Sequence, residues 1–237
     1  MRFFDKIFGT KEETEYKATL VQISNPLMDK IDGLDEKEVR GFFKVILDAA
    51  EKSLRGILFM APSDLDFETP PAERAKQDKN YWEKQMKEKS AFYKKLTAEE
   101  IDFWLRKVSL ALMAYSYHFF SGGEEIPFVQ FSYEAYWQRM FNSYNEIFGE
   151  NITKKDINHY AAGLKEDAEK GYSKSGNIEK TLELTAKDYK IIGTELLQKI
   201  WKEGAAPNEK KVLFLGTRIW QAYQQIVQPF LPKLLTE

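Results

Sequence analysis

The stretch IDFWLRKVSLALMAYSYHFF, residues 101–120, constrains the fold of this chain more than any other part of the sequence. Its first third carries charged residues, whereas only Ser116 and His118 interrupt the apolar run from Leu110 onward. A helix that is apolar on all sides is buried, so we predict a core helix that starts at the surface and ends inside. Its main apolar face follows helical spacing: Ile101, Trp104, Leu105, Val108, Leu112, Tyr115 and Phe119.

Residues that begin and end helices bracket this stretch and recur elsewhere. Thr97 and Glu100 have the spacing of a capping box, in which each side chain bonds a free backbone N–H of the other residue. A glycine commonly ends a helix because it adopts the left-handed conformation without strain. Further helix starts are predicted at Asp35 with Glu38, at Ser132 and at Thr153, and helix ends at Gly33, Gly122 and Gly149.

Helical periodicity recurs along most of the chain, and no segment has a convincing alternating strand pattern. The strongest pattern runs from Val39 to Leu58 on one face. A first helix is expected to break or kink at Pro26, and the last to break at Pro229. We therefore predict an all-α protein, an irregular bundle of seven or eight helices forming a single domain over 1–237. The proline-rich loop at 62–71 is where a less favoured division into two units would fall.

Composition narrows the classes of protein to which the chain can belong. The sequence has 43% hydrophobic and 14% aromatic residues, enough to fill a core, and it contains no cysteine. Disulfides, thiolate chemistry and cysteine-based metal sites are therefore excluded. A net charge of −2 argues against a surface built wholly for nucleic acid. Residues 1–9 lack the apolar core of a signal peptide, so we expect a cytoplasmic protein.

Sequence motifs for catalysis and metal binding were sought and not found. The chain lacks a dinucleotide-binding glycine motif, a Walker loop and the H-E-x-x-H zinc motif. Its two histidines, His118 and His159, do not follow a glutamate by three residues as a bundle di-iron site requires. We predict no catalytic residues, no metal ligands and no cofactor, and we favour a non-enzymatic protein.

One short segment of the central helix is a candidate ligand site. His118 is polar where the helix is otherwise apolar, and it stands beside Tyr115, Ser116 and Tyr117. Ligand sites in helical bundles lie between the helices, so these four residues are the predicted ligand-binding set. A buried histidine that only satisfies a structural hydrogen bond is the favoured alternative.

These observations rank three functions. A protein–protein interaction or adaptor module comes first, because the aromatic surplus and apolar termini are visible whereas catalytic residues are not. Binding of an apolar small molecule near His118 comes second, and an enzyme whose site forms only in space comes third. A protein partner or a homo-oligomer is expected. Nucleic-acid binding along the basic helix 71–96, and peripheral membrane contact through residues 2–8, are disfavoured.

Overall fold

The computed structural model describes residues 11–58, 96–121, 130–157, 159–160, 190–199 and 209–235. These residues are predominantly helical and contain no strand, which confirms the all-α prediction. Another helical stretch begins at residue 154, and a π-helix (Tyr223–Val227) and a 3-10 helix (Gln228–Leu235) end the described chain. The bounded α-helices are α1 (Lys11–Asp32), α2 (Lys37–Leu58), α3 (Ala98–Ser121), α4 (Gln130–Phe148), α5 (Lys190–Lys199) and α6 (Glu209–Ala222).

The core is built around α2 and α3, which pack against each other. On α3, every residue from Val108 to Ser116 is buried, whereas the first turn is exposed. The prediction that this helix starts at the surface and runs into the core is therefore confirmed as far as Ser116. α2 also contacts α1, α6 and the π-helix, because its buried face runs along its length: Val39, Phe42, Phe43, Ile46, Leu47, Ala50, Leu54 and Ile57. Residues 62–71, where a division was predicted, lie outside the described ranges.

Two of the predicted helix starts are formed by the side chains expected. Before α3, the Thr97 N–H donates to Glu100 Oε2 at 2.8 Å and the Glu100 N–H donates to Thr97 Oγ1 at 3.1 Å. Thr153 begins the helical stretch at 154 with its N–H and hydroxyl both bonded to Asp156 Oδ2, at 2.8 and 2.7 Å. Each pair satisfies backbone groups that a helix start leaves without partners.

Two other predicted boundaries were wrong, and the break considered at Pro26 is absent. α2 begins at Lys37, where the Arg40 N–H bonds the Glu36 carbonyl, and no hydrogen bond joins Asp35 to Glu38. α4 begins at Gln130, so Ser132 lies inside it, because neither Gln130 nor the next residue blocks a helix. α1 continues across Pro26 without a break.

The end of α4 fixes its position against α1 and α3. Gly149 has a φ of +64°, and the Glu150 N–H bonds the Asn145 carbonyl at 3.2 Å, which is the Schellman arrangement predicted for a glycine stop. Lys30 Nζ of α1 donates to the Ile147 carbonyl at 3.0 Å. Because a helix C-terminus carries partial negative charge and bare carbonyls, a lysine there is favourable.

The C-terminal helix departs from α geometry earlier than Pro229, where the break was predicted. The chain becomes π-helical at Tyr223, and the Gln228 N–H bonds the Tyr223 carbonyl. Proline has no N–H and cannot donate to the α-helical ladder. Tyr223 and Val227 of the π-helical turn are buried.

Candidate functional site

The three described members of the predicted ligand-binding set, Tyr115, Ser116 and Tyr117, do not converge on one point. Tyr115 is buried and packs edge-on against Trp220 and Tyr223 of the C-terminal helix, with ring centroids 5.6 and 5.8 Å away. The Ser116 hydroxyl donates to the Leu112 carbonyl at 2.9 Å within its own helix. Successive residues of a helix point about 100° apart, so neighbours in sequence face different partners.

Tyr117 faces another part of the core. Its ring packs against Trp137 and Phe141 of α4, with centroids 5.3 and 5.8 Å away. The backbone of His118 belongs to α3, but its side chain lies outside the described part of the structure. The described members of the predicted set are thus core residues on two different interfaces, and whether His118 lines a pocket stays a prediction.

A surface feature that the sequence analysis did not single out lies at the first turns of α3. Phe103 is 38% exposed, and it is one of two large hydrophobic side chains that are exposed among the described residues. Its ring packs at 5.3 Å against that of Trp104, which is buried and holds the exposed ring in place. Phe103 lies about 200° round the helix from Ile101. An aromatic residue on the polar face was the sequence signal that could have identified it.

Two lysines flank this ring. Lys107 Nζ lies 5.6 Å from the Phe103 centroid and Lys199 Nζ of α5 lies 5.1 Å from it. Both distances suit a cation–π interaction with the ring. No carboxylate of the described residues forms an ion pair with either ammonium group. We call Phe103, Lys107 and Lys199 the Phe103 patch.

An acidic group borders the patch one helical turn before Lys199. Glu195 Oε2 accepts a hydrogen bond of 2.9 Å from the Tyr160 hydroxyl, and Oε1 lies 3.6 Å from His159 Nε2. His159 is exposed. Burial, and then the nearby Glu195 carboxylate, raise the pKa of Tyr160 well above its usual value. Tyr160 therefore stays protonated, and its hydroxyl donates a hydrogen bond to Glu195.

The arginine beside the patch is already neutralised. Arg106 Nε donates to Asp102 Oδ2 at 2.8 Å, and Arg106 Nη1 lies 4.0 Å from Glu150. The Tyr144 hydroxyl donates to the Arg106 carbonyl at 2.8 Å, and burial raises the pKa of Tyr144. This cluster joins α3 to α4, so its role is structural, in contrast to the two lysines on Phe103.

Metal sites and membrane-spanning helices were also considered within the described residues. They contain no group of three or more His, Asp or Glu side chains placed to bind a metal ion. None of the helices in the described ranges combines the length and apolarity that crossing a lipid bilayer requires. Residues 2–8 and nearly all of 71–96, considered for membrane and nucleic-acid contact, lie outside those ranges.

Comparisons of the chain with protein-family models, with curated proteins and with solved structures found no match.

Proposed function

We propose that this protein is a non-enzymatic interaction module that binds an acidic segment of a partner protein through the Phe103 patch. The observation that carries the proposal is an exposed aromatic ring with two lysine ammonium groups over it, neither of which forms an ion pair with a described carboxylate. A partner segment with carboxylates on either side of one apolar side chain would cover the ring and neutralise both ammonium groups.

The expected strength follows from the size of the patch. Burying a whole Phe side chain stabilises by about 1.5–3 kcal/mol. Because 38% of Phe103 is exposed, covering it contributes about 1 kcal/mol. Each exposed charge pair adds about 0.2–1 kcal/mol. These terms come to about 1.4–3 kcal/mol, which corresponds to a Kd of roughly 10–100 mM for a short peptide, so tighter binding would need further contacts from an intact partner.

Charge is expected to select the partner more than it strengthens the complex. Surface charges chiefly affect association rate and specificity, and salt screens them. The lysines favour an acidic partner, whereas Glu195 and Asp156 at the border limit how far its acidic surface can extend. The Thr153 hydroxyl already bonds Asp156, and Lys107 helps to lower the pKa of that carboxyl. The proposed ligand is therefore a short acidic segment, not a long polyanion.

The test is an NMR titration of isotope-labelled protein with a short capped peptide centred on Glu-Leu-Glu. We expect backbone shifts centred on α3 near Phe103 and on the end of α5, and weaker binding as salt is added. A matched Lys-Leu-Lys peptide should cause no such shifts. Equal responses to both peptides, or shifts that avoid this surface, would reject the proposal.

A variant distinguishes binding at the Phe103 patch from non-specific binding to any exposed hydrophobic side chain. Phe103→Ala should weaken binding of the acidic peptide about five-fold, which corresponds to the loss of about 1 kcal/mol. The matched control is Val21→Ala, which removes the other exposed hydrophobic side chain, 43% exposed, on α1. The control should bind the peptide like the parent protein. An equal loss in both variants would contradict a site at Phe103.

A further inference from the structure

Among the described residues Lys199 has no ion-pair partner, even though a glutamate lies one turn before it on the same helix. Glu195 and Lys199 are four residues apart on α5, with the acid first, which is the favourable arrangement for a salt bridge on a helix. The structure contains no such bridge. The Lys199 ammonium instead lies over the Phe103 ring, and the Glu195 carboxylate turns toward Tyr160 and His159.

We infer that Tyr160 is a positioning residue that holds Glu195 away from Lys199 and so keeps this lysine available to an acidic partner. This inference rests on the proposed function of the Phe103 patch. The Tyr160 hydroxyl and the Glu195 carboxylate are 2.9 Å apart, and Tyr160 is buried, with only 3% of the residue exposed. A buried donor in a fixed place restrains a carboxylate that is itself only partly buried, with 30% side-chain exposure.

The physical reason is competition for one carboxylate. A hydrogen bond to a charged group stabilises several times more than an exposed ion pair on a helix does. Tyr160 therefore outcompetes Lys199 for Glu195. His159, also within reach of the carboxylate, is 56% exposed at its side chain and gives a weaker restraint. Without the hydroxyl, Glu195 is released to pair with Lys199.

The test removes only the hydroxyl, in Tyr160→Phe, at about pH 8, where histidines are ordinarily neutral. We expect the acidic peptide to bind about two-fold more weakly, because an exposed ion pair on a helix is worth about that factor. The double variant Tyr160→Phe with Glu195→Gln should bind like the parent protein, because the competing charge is gone. Tyr144→Phe is the matched control, since it removes a buried hydroxyl that bonds the Arg106 carbonyl, and it should leave binding unchanged.

A second measurement needs no peptide. It also tests the positioning role if Tyr160→Phe binds the peptide poorly only because the variant is less stable. The NMR signals of the Lys199 side chain should shift in Tyr160→Phe and return toward the parent values in the double variant. If they stay unchanged in Tyr160→Phe, the positioning role is wrong, whatever the peptide does. If they shift as expected but the parent protein binds no acidic peptide, the proposed function is wrong and the restraint on Glu195 stands.

Discussion

Two helices, α5 and α6, approach each other closely at Gly193, and replacing this residue tests the packing that places α5. A Cβ atom at Gly193 would lie 2.2 Å from the Val212 carbonyl oxygen, 3.1 Å from its carbon and 3.3 Å from the Gly216 nitrogen. Carbon and oxygen atoms in contact are ordinarily about 3.3 Å apart or more. Gly193→Ala therefore requires α5 and α6 to separate by about 1 Å.

Two opposing effects set the magnitude. Alanine is favoured over glycine inside a helix by about 1 kcal/mol. Overpacking in a core costs about 1–3 kcal/mol, and the upper end applies here because the clash is with backbone atoms and not with a side chain that can turn away. We expect Gly193→Ala to lower the free energy of unfolding by about 2 kcal/mol.

The assay is urea denaturation followed by far-ultraviolet circular dichroism, with Gly56→Ala as the matched control. Gly56 is an exposed helix glycine of α2 with no heavy atom within 4 Å of an added Cβ. The same substitution there should raise the free energy of unfolding by about 0.5–1 kcal/mol. The reasoning is refuted if Gly193→Ala is neutral or stabilising, because the helices would then not meet as closely as the structure has them.

Three further effects follow from the described helix ends. Gly149→Ala should destabilise by about 1 kcal/mol, because Gly149 has a φ of +64°; thermal unfolding measures this. Thr97→Ala should cost about 1 kcal/mol by removing the cap at 3.1 Å. The Thr153 hydroxyl lowers the pKa of Asp156 below its ordinary 3.8. The stability that the ionised Asp156 carboxylate contributes is therefore present above about pH 4. It is lost as the pH falls through the lowered pKa that Asp156 has in the folded protein. In unfolding curves measured at several pH values, Asp156→Asn should remove the loss of stability that comes from protonating this carboxylate.

The sequence predicted the parts of the fold that depend on local patterns. The buried face of α2 and the buried second half of α3 follow directly from apolar spacing, because burial is what makes that spacing favourable. The capping box at Thr97 and the stop at Gly149 were also predicted, since both depend on residues within a few positions of each other.

Features that depend on contacts distant in sequence could not be predicted. Tyr115 and Tyr117 were grouped as one site because they are close in sequence, yet they pack against different helices. The Phe103 patch needs Lys199, which is 96 residues away in the chain. Nothing in local periodicity indicates that α5 brings this lysine to α3, or that Tyr160 meets Glu195.

The most direct test of the proposed function reverses the charge of the patch and leaves its ring in place. In the double variant Lys107→Glu with Lys199→Glu, Phe103 stays but two cations become two anions. We predict that the preference for the acidic peptide over the basic one inverts. In the same NMR titration, the variant should bind the Lys-Leu-Lys peptide and no longer bind the Glu-Leu-Glu peptide. A folded double variant that still prefers the acidic peptide would show that these lysines do not recognise the partner, and it would contradict the proposal.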